Sequence, residues 1–151
     1  MPDEERSRFQ YEAKSRVLSY ERLKCLSAAL SGEECIFVAP VMAAVKGMPD
    51  VSRFREVCID ISLRDAVNYD EIREMLIFTG YERTEVTEVR GQFSIRGSII
   101  DIFPPDAEYP FRIDLFGDEV DDLKLFDPLT QRSVRSLDSV HILPATVPNP
   151  A

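Results

Sequence analysis

Apolar and polar positions follow a helical spacing in two early stretches and switch to a period of two over the second half of the chain. From about Glu12 to Leu30, the residues Val17, Leu23, Leu26 and Leu30 fall near helical spacing, and Ser31-Gly32 supplies a stop. Cys35 to Ala39 is an unbroken apolar run closed by Pro40, the pattern of a buried strand. Val57 to Ile61 predicts a further strand. A second helix has clear limits: Asn68 is placed to cap it, Glu71 stands three residues on, and Gly80 closes the C-terminus. Ile72 and Leu76, with Met75 or Thr79, form its inward stripe.

Strands are predicted near 81–89, 92–96, 99–103, 109–116, 119–126 and 133–141, separated by turns at Arg90-Gly91, Gly97-Ser98, Pro104-Pro105-Asp106, Gly117-Asp118 and Asp127-Pro128. Such short connections make successive strands antiparallel neighbours, hence a meander. The fold class is α/β in the α+β sense: a helix packed on a mostly antiparallel sheet, preceded by a helix–strand fragment of an adjoining α/β domain. The predicted divisions are 1–50, 51–143 and a proline-rich tail or linker over 144–151, with a hinge at Lys46 to Asp50.

Strand phase separates two faces. Phe93, Ile95, Ile100, Ile102, Phe111, Ile113 and Leu115 point to the core. Arg96, Asp101, Phe103, Arg112, Asp114 and Phe116 point the other way. Arginines and aromatics on a rigid face are the residues that dominate protein interfaces. The plainer alternative is that Arg–Asp pairs merely solvate this face, with Phe103 and Phe116 tucked under a loop or another helix.

Composition then removes whole classes. The 151 residues carry a net charge of -9, against the basic surplus of a dedicated nucleic-acid clamp. That acidity is local, with nine acids against Arg112 and Lys124 in residues 101–127. A single histidine and no CxxC pair offer no ready metal site, and no cofactor is expected. Phosphate-cradling loops and the nucleophile elbow are missing, so the chain reads as non-catalytic. No apolar run is long enough to cross a membrane, and the charged start has no secretory signal. Cys25, Cys35 and Cys58 read as reduced, core-filling thiols of a cytoplasmic protein.

Four runs in order carry a resemblance: GYER at 80–83, GQFSIRGSIIDIFP at 91–104, FRIDLFGDEV at 111–120 and FDPLTQRS at 126–133. Together they resemble the N-terminal UvrB-homology region of the bacterial transcription-repair coupling factors, which is itself similar to the B subunit of the excision-repair nuclease. The run at 127–133, with Leu143-Pro144-Ala145 behind it, favours the coupling factors. The likeness covers most of the chain and is strongest from Gly80 to Ala145.

The resemblance implies a module that recruits UvrA, the damage-sensing A subunit of nucleotide excision repair, to stalled transcription complexes. It implies Arg83, Arg96, Arg112 and Asp114 as partner-binding residues and an aromatic contact at Phe103. Where the B subunit has a second arginine, this chain has Ser94. A C-terminal domain that covers the face is implied for the full-length family, whose RNA polymerase and DNA contacts lie in other domains. Three alternatives stay open: DNA binding through Arg83, Arg90 and Arg96; a carboxylate site at Asp118, Glu119, Asp121 and Asp122; and a nucleophilic pairing of His141 with a cysteine. A purely structural role in a helicase-like protein is the remaining option.

Overall fold

The structure, a computed structural model, describes residues 3–32, 34–44 and 49–147, with side chains over 16–32, 34–42 and 49–147. Helix α1 (Asp3–Ser31) leads into the one-turn helix α2 (Val41–Ala44) and the short helix α3 (Val51–Glu56). Then follow β1 (Ile59–Ser62), α4 (Tyr69–Phe78), β2 (Glu82–Arg83), β3 (Gln92–Arg96), β4 (Ile99–Ile102), β5 (Phe111–Phe116), β6 (Glu119–Phe126), β7 (Ser133–Ser136) and β8 (Ser139–Ile142).

Strands β2 to β7 form one six-stranded sheet in chain order, while β1 and β8 form a separate antiparallel pair. Pairing from β3 to β7 is antiparallel, and β2 lies parallel to β3. The antiparallel meander is therefore present from β3 to β7, but the strand predicted over 81–89 shrinks to Glu82–Arg83, and the 84–91 loop that follows carries the chain back so that β2 runs parallel to β3. The segment predicted as a single strand over 133–141 divides: Ser133–Ser136 continues the sheet, whereas Ser139–Ile142 leaves it to pair with Ile59–Ser62.

Helix α4 is built as its sequence requires. Asn68 Oδ1 accepts from the backbone N–H groups of Asp70 and Glu71 at 3.0 and 3.3 Å, and Gly80 takes φ +92° past the last turn. Ile72 and Leu76 bury against Phe93, Ile100, Ile102, Ile113 and Leu123 of the sheet, all five with no exposed surface. Burying such side chains stabilises the fold by about 1.5–3 kcal/mol each. A second cluster joins α1 to the rest through Leu23, Leu26, Phe54 and Leu143.

Several local expectations change. Cys35 to Ala39 forms no strand and is exposed, with Ile36 and Val38 above 90% accessible, because no neighbouring strand meets it among the described residues. Val17 is also exposed; among the described side chains of α1, Leu23 and Leu26 are the buried ones. The predicted strand at Val57 to Ile61 begins only at Ile59, and α3 precedes it. Leu143, Pro144 and Ala145 are buried, and Ala145 N–H donates to the Thr79 carbonyl, so the start of the proline-rich tail is packed on α4. Cys25 and Cys35 are exposed and only Cys58 is partly buried. Lys46 to Met48 of the hinge and Pro148 to Ala151 of the tail lie outside the described residues.

Candidate protein-docking face

The sheet turns Phe93, Ile100, Ile102 and Ile113 toward α4, so the intervening positions of β3 to β6 face outward. Cross-strand register aligns Ser94 with Asp101, Asp101 with Arg112, and Arg112 with Lys124 in one row. Ile99, next to Arg96, lines up with Asp114, and Asp114 with Asp122, in the adjacent row. Two-residue turns at Gly97 and Gly117, both at positive φ, set these registers.

Asp101 is the centre of the face. It is fully buried, and Arg112 grips it from β5 with Nε on Oδ1 and Nη2 on Oδ2, both at 2.7 Å. Arg96 Nη2 reaches the same Oδ2 from β3 at 3.1 Å. Arg112 is itself largely covered: its side chain is 13% exposed, its guanidinium lies 4.2 Å from the centroid of Phe126, and it donates to the Gln131 carbonyl and side chain. The hydrogen bond to Asp101 raises the Arg112 pKa above its ordinary value, so its charge is fixed.

The two arginines thus differ in what they have left to offer. A guanidinium has five N–H donors. Arg112 spends four of them inside the protein, whereas Arg96, with a side chain 48% exposed, spends one. Asp114 is half-buried and accepts from the Ser98 hydroxyl at 2.9 Å. Beyond it, Phe116 is 82% exposed at the β5–β6 hairpin.

The other predicted site residues fall elsewhere. Phe103 does not present its ring to solvent: it is 6% exposed, with the Arg90 guanidinium 5.4 Å above it. Arg90 also donates to the Ala107 carbonyl, which ties the 84–91 loop across this end of the sheet. That loop covers Ser94 too, whose hydroxyl hydrogen-bonds to that of Thr87 at 3.0 Å. Arg83 is exposed on edge strand β2, but its register partner is Phe93, so it has the opposite phase to Arg96 and lies outside the Asp101 network. The sequence placed Asp101 on this face without singling it out. Gln131 was missed altogether; its signal was the Asp127–Gln131 turn, where Gln131 takes φ +60°.

The residues of two other readings are engaged in local ion pairs. His141 Nδ1 meets Asp60 Oδ1 at 2.6 Å, so a carboxylate holds the ring. Arg64 bridges Glu119 and Asp121. No group of three metal-ligating side chains is assembled among the described residues.

The family described as the UvrB interaction domain matches residues 59–147. The chain is 38% identical over 131 residues to the transcription-repair-coupling factor of Bacillus subtilis (strain 168), covering 87% of this chain and 11% of that protein. With the transcription-repair-coupling factor of Staphylococcus aureus (strain bovine RF122 / ET3-1), identity is 33% over 137 residues, covering 91% and 12%. With UvrABC system protein B of Psychromonas ingrahamii it is 35% over 126 residues, covering 83% and 19%. The chain spans less than a fifth of the length of these relatives. The matched segment runs from the first residue of β1 to just past Ala145, enclosing α4, both sheets and the Asp101 network. By the match over residues 59–147, the chain belongs to the UvrB interaction domain family, and it is similar in sequence to transcription-repair-coupling factors and UvrB proteins.

Proposed function

We propose that this chain is a non-catalytic docking module that binds UvrA, and that within a longer coupling factor it brings UvrA to stalled transcription complexes for nucleotide excision repair. The observation that carries the reading is Arg96: a half-exposed guanidinium anchored to a buried carboxylate by its one hydrogen bond among the described residues. A planar donor fork held on a strand suits a carboxylate on a partner and loses little freedom on docking. Asp114 and Phe116 flank it, giving the face an acidic and an aromatic contact. Asp122 and the other acids repel partners of the same sign. Arg83 contributes from the sheet edge, while Phe103 lies covered by Arg90 at one end of the sheet. RNA polymerase and DNA engagement belong, in this reading, to other parts of the longer relatives.

Titration of purified UvrA with the full chain, without DNA, tests it by calorimetry. Saturable binding supports the reading. Absence of binding to UvrA, or salt-sensitive binding to duplex DNA in its place, overturns it.

A further inference from the structure

We infer that Asp101 is the positioning residue of this face and that Arg112 acts through Asp101 instead of touching the partner. The inference rests on the docking reading above, and it assigns roles within it that the sequence does not reveal.

A carboxylate has about four lone-pair positions. Three are occupied here, two by Arg112 and one by Arg96. Asp101 sits on β4 between the two strands that carry these arginines, and it has no exposed surface, so a partner cannot reach it. A buried charge of this kind persists only when paired and hydrogen-bonded, which Arg112 achieves. Arg112 is in turn fixed by Phe126 beneath it and Gln131 beside it. The Thr87 hydroxyl donates to the Asp101 carbonyl at 3.3 Å and pins the same residue from the loop side.

The result is a chain of rigid contacts that ends on a single freely presented group, Arg96. Arg112 neutralises Asp101 and leaves it one lone pair on Oδ2 for Arg96. Arg96 is thereby held near its docked rotamer before a partner arrives, which removes part of the ordering cost of association. Ser94, aligned with Asp101, is too short to intrude on the Arg96–Asp101 contact.

Two measurements test this. In the free chain, NMR relaxation of the Arg96 side chain in the native protein and in Asp101→Asn reads the positioning directly. Restricted motion in the native chain that is released in Asp101→Asn supports the role. Equal mobility in both overturns it, whatever UvrA does. In UvrA titrations, Asp101→Asn should weaken binding about tenfold, the loss of one well-placed contact. The same change in an Arg96→Ala background should cost nothing further, since Asp101 has no other route to the partner. Additive losses overturn the proposal. If Asp101→Asn does not fold, Asp101→Glu retains the charge but displaces it by one methylene and should show the same non-additivity. A native chain that fails to bind UvrA removes the docking reading and leaves the relaxation result to decide the positioning role.

Discussion

Arg112 and Asp101 pair in register across β4 and β5 through two parallel hydrogen bonds of 2.7 Å, with the carboxylate wholly buried. This pair ties the interior of the domain to its outer face. A cation and an anion that are both shielded from water stand or fall together, and that dependence sets the first prediction.

Arg112→Ala leaves Asp101 buried without its main partner and removes the stack on Phe126. We expect a loss of about 3–5 kcal/mol of folding stability, measured by urea unfolding. Asp101→Asn combined with Arg112→Met should recover much of that loss, because the charges leave together. Arg96→Ala should shift stability by less than about 1 kcal/mol, since that side chain is half-exposed. Equal losses from Arg96→Ala and Arg112→Ala would contradict the distinction.

Burial pushes the Cys58 thiol up to about 11 from its ordinary 9.0, and it also raises the Tyr81 phenol, which donates to the buried Leu143 carbonyl. Both groups are neutral in the folded state, and their pKa is lower once unfolded. The stabilisation is therefore complete below about pH 9 and is lost as pH climbs toward 11. Unfolding midpoints at pH 7.5, 9.5 and 10.5 should fall steadily. Thiol reagents at pH 8 should modify the exposed Cys25 and Cys35 well before Cys58.

Gly91 joins α1 to the sheet. It takes φ +84°, and a Cβ there would run into the Tyr20 hydroxyl, which donates to the Arg90 carbonyl at 3.0 Å. Gly91→Ala should cost about 1–3 kcal/mol from backbone strain alone and free α1 from this end of the 84–91 loop. Faster amide exchange in α1, together with a lowered melting temperature, is the expected signature.

The central strands were legible because two constraints coincide there. Gly97 and Gly117 fix tight turns, and a one-residue slip would expose Ile100, Ile113 and Leu123. The cap and stop of α4 are equally local. What stayed hidden depends on distant partners. Ser139–Ile142 leaves the main sheet for Ile59–Ser62, a pairing that no local pattern announces. Cys35 to Ala39 has the composition of a buried strand but no strand to lie beside among the described residues. On the face itself, phase gave the side of Arg96, Arg112 and Asp114 but not their depth. The Phe126 ring and Gln131 cover Arg112, and Arg90 covers Phe103, through contacts made from other segments. Arg83 was matched by motif, and only the parallel β2–β3 register shows it out of phase with Arg96.

The most direct measurement compares the native chain, Arg96→Glu and Arg83→Glu in calorimetric titrations of UvrA. Arg96→Glu should lose well over tenfold in affinity, the scale of a hot-spot arginine, with a native circular dichroism spectrum, and Arg83→Glu should lose distinctly less. Full-strength binding of UvrA by Arg96→Glu would contradict the account.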